Sequence, residues 1–100
     1  MSQKTIGLMQ QCAPLFNLLQ DARRLEILNI LFDNPHLSVS ELAEKVDLSR
    51  PAVSHHLKLM LDKQLVEVIQ EGKERYYSLN LQPSLEKLEA LVASLKEDIS

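Results

Sequence analysis

The sequence predicts a mainly α-helical fold with one small β-hairpin, in the order α-α-α-α-β-β-α. Three observations carry that prediction. Apolar residues recur at helical spacing through most of the chain. The period drops to two only between Leu65 and Leu79, on either side of Gly72. Asp21, Ser38 and Ser49 stand immediately before helical patterns, where a short polar side chain can accept the first unpaired backbone N–H groups.

The first helix spans Ile6 to Leu19. Leu8, Cys12, Leu15 and Leu19 form one apolar stripe and Ile6, Met9, Ala13 and Phe16 a neighbouring one, so the apolar face is unusually wide. Pro14 predicts a kink or a helix start near that point. Asp21 opens a second helix with Leu25, Leu28, Leu31 and Phe32 inward, closed by Asn34-Pro35. Ser38-Val39-Ser40-Glu41 has the form of a capping box, and a short helix follows through Leu42, Ala43 and Val46. Asp47-Leu48-Ser49 breaks it. Ser49 caps again, Pro51 falls in a first turn where its missing N–H costs nothing, and the helix runs to about Lys63 with Val53, Leu57, Met60 and Leu61 inward.

Two helices joined by so short a turn are a helix-turn-helix. Leu65 to Gln70 and Arg75 to Leu79 then read as the two strands of a hairpin, a wing, with Gly72 at its positive-φ position. Pro83-Ser84 opens the last helix, in which Leu81, Leu85, Leu88, Val92, Leu95 and Ile99 follow one another at steps of four and three. A seam of that kind needs a partner surface. The whole is one winged helix-turn-helix domain over residues 1–100. Two apolar stripes, on the first and last helices, are left for a homodimer interface carried by Leu8, Cys12, Leu15, Leu85, Leu88, Val92 and Leu95.

Charge and composition narrow the function. The net charge is −3, yet residues 49–79 hold five basic side chains against four acidic ones. A recognition helix buries one face and offers short polar and long basic groups to base edges and phosphates. Ser49, Arg50, Ser54, His55 and Lys58 meet that requirement opposite Val53 and Leu57, and Lys73 and Arg75 sit at the hairpin tip. Arg50 can read a guanine, Lys58 can neutralise a phosphate, and the helix N-terminus at Ser49 favours a phosphate through its free N–H groups. Double-stranded DNA and a second copy of the chain are therefore the expected partners. No apolar stretch reads as a signal peptide or a membrane span, so no membrane association and a cytoplasmic location are expected.

The run Leu42-Ala43 through Ser54-His55-His56-Leu57, with Leu65-Val66, Glu71-Gly72-Lys73 and Tyr76-Tyr77-Ser78-Leu79, resembles the arsenical-resistance-repressor (ArsR) family of winged-helix regulators. Asp21-Ala22-Arg23-Arg24-Leu25-Glu26-Ile27-Leu28 is similar to that family's D-x-x-R-x-x-I-L helix, and the resemblance covers roughly residues 16 to 81. It implies a homodimeric repressor, paired through its first and last helices, that leaves a palindromic operator when an effector binds. The family's Cys-x-Cys pair is missing from Ser40 to Val46, and its Asp and His ligands are missing from Ser84 to Ser100. No metal site or cofactor is therefore expected, and the effector stays unspecified.

Other readings of single residues are plainer. Cys12, the only cysteine, reads as a small buried or interface hydrophobe. His55 and His56 project about 100° apart and cannot easily share an ion; His55 faces DNA, His56 is partly packed and His36 lies in a polar turn without a role. Arg23 and Arg24 read as a solvated face or as partners of Asp21 or Glu26. No catalytic motif occurs and only two glycines are present, so no catalytic residue and no enzyme activity are expected. The alternative from another class is a winged-helix module that binds protein and not DNA, which the acidic net charge would permit.

Overall fold

The computed structural model describes Met1 to Ser100. Its elements run α1 (Gln3–Gln20), α2 (Ala22–Asp33), β1 (Leu37–Ser38), α3 (Val39–Lys45), α4 (Arg50–Asp62), β2 (Val66–Glu71), β3 (Glu74–Leu79) and α5 (Gln82–Ile99). The three capping residues act as their side chains dictate. Asp21 alone separates α1 from α2, and its Oδ1 accepts the N–H groups of Arg23 at 2.9 Å and Arg24 at 3.2 Å. The N–H of Arg24 is the main reason its carboxyl lies below the ordinary range. Ser38 and Glu41 close the capping box reciprocally, at 3.2 and 3.0 Å. The Ser49 hydroxyl accepts the Ala52 N–H at 3.3 Å.

The core gathers Leu18 of α1, Ile27 and Leu31 of α2, Leu42 of α3, Val53, Leu57 and Met60 of α4, and Val66 and Tyr77 of the hairpin. Two expectations change here. On α2 the buried pair is Ile27 and Leu31, while Leu25 is at the surface and Phe32 is 71% exposed. With Leu25, Leu28, Leu31 and Phe32 the apolar arc is wider than the surface α2 can bury, and the core takes the side that carries Ile27. Of the kink or start expected at Pro14, the start is excluded, because α1 runs through the proline. The proline leaves the Gln10 carbonyl without its usual donor four residues on.

The hairpin has a third strand beside it. β1 pairs antiparallel with β3, Leu37 opposite Tyr77 and Ser38 opposite Tyr76, giving the order β1-β3-β2. Two residues are too few to show a period, which is why no strand was expected before α3. The wing turns through Gly72 and Lys73 between the paired Glu71 and Glu74. Gly72 has φ +62°, the left-handed value a two-residue hairpin needs at its first loop position.

A second left-handed residue ends α4. Gln64 has φ +61°, its N–H reaches the Leu61 carbonyl and the Leu65 N–H reaches the Met60 carbonyl, both at 2.9 Å. This is a Schellman closure with glutamine where glycine is usual. Gln64→Gly should therefore stabilise the chain by up to about 1 kcal/mol, because it relieves the Cβ clash of the left-handed conformation. Urea unfolding measures this, and a loss of stability would show that no strain resides there.

α1 and α5 pack antiparallel, with a polar clasp at one end. Thr5 and Ser94, both buried, share a hydrogen bond between their hydroxyls. Asp98 accepts the Ser2 N–H at 2.9 Å and the Thr5 hydroxyl at 2.7 Å. These bonds, the Ser2 N–H foremost, hold the Asp98 carboxyl below its ordinary value. A carboxyl lowered by folding binds its proton more weakly folded than unfolded. Its stabilisation is therefore complete above the ordinary carboxylate range and lost as the pH falls through the lowered value. Asp98→Asn should be less stable than wild type at neutral pH and should lose less on acidification, measured as melting temperature against pH. Parallel curves would remove the clasp from the acid response.

Candidate nucleic-acid interface

The capping box fixes the start of α3, the Ser49 cap fixes the start of α4, and the residues between them form the turn. α3 carries Leu42 and Val46 into the core, and α4 seats Val53 and Leu57, both fully buried, against it. At about 100° per residue, those anchors turn Lys58 well outward and Ser54 to the flank, while Arg50, three residues before Val53 and on the anchors' own side, is open because it begins the helix. All three are exposed, as are Ser49 and His55. Arg50 and Lys58 make no ion pair within the chain, so their charges are free for an external anion. Ser49 marks the N-terminus of a 13-residue helix, whose dipole turns its positive end to the same surface. All five helix residues expected to meet DNA are thus open to solvent, spread from the first turn of α4 round to its outer face.

Lys73 and Arg75 are exposed at the tip of the wing. Glu71 and Glu74, the pair flanking the loop, are exposed beside them and offset part of their charge. His36 is not an idle turn residue. Its ring stacks on Tyr76 with centroids 4.4 Å apart and planes 7° from parallel, and its Nε2 lies 3.5 Å from a Glu71 carboxylate oxygen. It thus leans on the outer half of the wing, between Tyr76 and one of the acidic groups flanking the loop. The signal that could have found it is the pairing of Leu37 with Tyr77, which brings the residue before β1 against the hairpin. Of the two tyrosines, Tyr77 is buried and Tyr76 lies under His36. Arg23 bonds Glu26 at 3.2 Å, and the Arg24 Nε lies 3.9 Å from Asp21.

The apolar stripes divide differently from the expectation. On α1, Thr5, Leu8, Cys12 and Leu15 form the face turned into the chain itself. Cys12 is only 3% exposed and Leu15 packs against the core. Cys12 therefore has no surface left to offer a second copy, and Leu8 and Leu15 have little. The more open stripe is the neighbouring one, in which Ile6, Ala13 and Phe16 are exposed and Met9 is half-buried. On α5 the inward face is Leu91 and Ser94, neither singled out from the sequence, whereas Leu85 is 45% and Val92 50% exposed, with Leu88 and Leu95 at the boundary. On each helix the uncovered stripe is turned roughly 100° from the inward face, in the same rotational sense. Because the helices are antiparallel, both stripes emerge on the same side of the pair and form one continuous apolar surface.

No group of three or more His, Cys, Asp or Glu side chains is placed to hold a metal ion, and no helix is long and apolar enough to cross a membrane.

Comparison with known proteins agrees with this geometry. Residues 21–68, from the cap of α2 into the wing, match the family described as "Bacterial regulatory protein, arsR family". The arsenical resistance operon repressor of Staphylococcus aureus is 34% identical over 71 residues, 71% of this chain and 67% of that protein. The transcriptional activator HlyU of Vibrio cholerae is 38% identical over 66 residues, 66% of this chain and 60% of that protein. Among solved structures, an ArsR-like transcriptional regulator from Rhodococcus superposes with a TM-score of 0.76 at 30% identity, covering 93% of this chain and 90% of that one. This winged helix-turn-helix chain belongs to the arsR family of bacterial regulatory proteins and is a DNA-binding transcriptional regulator.

Proposed function

We propose that the chain acts as a homodimeric repressor which sits across a palindromic operator and blocks transcription until an effector releases it. The observation that carries this reading is the solvent face of α4, where unpaired Arg50 and Lys58 flank Ser54 above a fully buried Val53 and Leu57. Two protomers, joined across the combined α1–α5 stripe, set their α4 helices into successive major grooves about 34 Å apart, one turn of DNA. In each half-site Arg50 reads a base edge, and Ser54 and His55 contact neighbouring polar edges. Lys58 and the N–H groups at Ser49 hold phosphates. Lys73 and Arg75 reach the flanking backbone or minor groove from the wing.

Release requires only that an effector prefer a dimer geometry with a different α4 spacing, at a coupling energy of typically ~1–3 kcal/mol. The name of the Staphylococcus relative, a repressor, supports the direction of control. Footprinting on the DNA upstream of the chain's own coding sequence is the test. The expected pattern is two protected patches on one face of the duplex, their centres about ten base pairs apart. A single patch, or protection independent of sequence, would overturn the two-helix arrangement.

A further inference from the structure

Behind the helix-turn-helix, away from the DNA-facing surface, a partly enclosed cavity of about 300 Å3 opens between the end of α1, the start of α2 and the end of α4. Leu18, Met60 and Leu65 supply its apolar wall, and Asn17, Arg24 and Lys63 its polar one. Both charges in the lining are positive. The Arg24 Nε is buried and makes no hydrogen bond. Asp21, the carboxylate beside it, lies 3.9 Å off and already accepts two backbone N–H groups through its other oxygen. One turn before Met60, on the same side of α4, the His56 Nδ1 is also buried without a partner. Unpaired buried polar atoms are costly and native chains keep few of them. Of the two among the side chains, Arg24 lines the cavity, and His56 lies behind its wall on α4.

We propose that this cavity is a binding site for a small monocarboxylate with an apolar tail, about ten non-hydrogen atoms in all. Pockets of a few hundred Å3 with an apolar lining and a few convergent polar groups are the usual form of small-molecule sites. The guanidinium of Arg24 presents its terminal N–H groups to both oxygens of a carboxylate, Lys63 adds a second positive charge, and the tail lies on Leu18, Met60 and Leu65. An amine of the same length meets two like charges. Inorganic phosphate has nothing to place on the apolar wall. The ligand touches α1, which bears half of the uncovered apolar stripe, and α4, which bears the DNA-facing residues. Its influence on operator binding therefore rests on the function proposed above, whereas binding itself does not.

The test is made on the whole chain without DNA, carrying 13C-labelled methionine methyl groups, with sodium octanoate as the probe and octylamine and inorganic phosphate as controls. Octanoate should shift the Met60 methyl resonance saturably and leave that of Met9, on the uncovered α1 stripe, in place. Octylamine and phosphate should move neither resonance. Arg24→Gln combined with Lys63→Gln should weaken octanoate binding at least tenfold. Lys63→Gln alone, at an exposed helix end where folding is not at risk, should weaken it at least threefold. An unmoved Met60, equal shifts with octylamine, Met9 moving in step with Met60, or unchanged binding by Lys63→Gln would each overturn the proposal. None of these results bears on whether the chain binds DNA.

Discussion

Leu85→Asp combined with Val92→Asp is expected to yield a folded monomer whose operator affinity falls by roughly a hundredfold to ten-thousandfold. Both side chains stand about half exposed in the single chain, so removing them costs little of its own core. Charging them sets carboxylates where a second copy would have to bury apolar surface, and an unpaired buried charge is not tolerated. The loss is large because a dimer makes its second half-site contact at high effective concentration, and a monomer forfeits that gain. Sedimentation gives the mass, circular dichroism shows that the fold survives, and fluorescence anisotropy gives the affinity. A dimer that persists would place the interface elsewhere.

Arg50→Ala comes next in size. Arg50 is the first residue of α4, exposed and without an ion pair, so its removal should leave stability within ±0.5 kcal/mol. Loss of a bidentate base contact costs about 1–3 kcal/mol, roughly a five- to 150-fold drop in specific affinity, and relaxes the preference at one base pair. Lys58→Ala should behave differently. It should weaken binding to every sequence alike and lower the salt dependence by about one released ion. If Arg50→Ala instead weakens specific and scrambled DNA equally, Arg50 contacts the backbone and reads no base.

What could be read from the chain alone was local chemistry. The Ser38–Glu41 box, the caps at Asp21 and Ser49 and the Gly72 turn each depend on residues three or fewer positions apart, and all are in place. On α4 a period of 3.6 anchored on Val53 and Leu57 turns His55 and Lys58 to solvent, whereas Arg50 is open because it begins the helix. What escaped depends on residues distant in sequence. β1 exists because Leu37 meets Tyr77, forty residues on. His36 gains its contacts from the same meeting.

The division of the apolar stripes is the clearest case. On α1, Leu8-Cys12-Leu15 and Ile6-Met9-Ala13-Phe16 are both apolar enough to be buried, and only the packing against α5 decides between them. Thr5 and Ser94 are polar and stand out in neither apolar pattern, yet each satisfies the other's hydroxyl in the helix contact. On α5 the seam through Leu85 and Val92 stands out at heptad spacing. Leu91, which the chain buries, lies outside that register. A regular apolar seam therefore marked the surface left over after the monomer had folded, and not the contact that folds it.

The surface of α4 and the wing is proposed to read operator DNA as part of a dimer. The most direct test is titration of the wild-type chain against its own promoter DNA and against scrambled DNA of the same length, at several salt concentrations, with the mass determined in the same buffer. The expected result is a dimer that saturates the promoter fragment, prefers it to the scrambled one by about a thousandfold or more, and loses affinity steeply as salt rises. A well-folded dimer that binds both fragments equally, or neither, would contradict it.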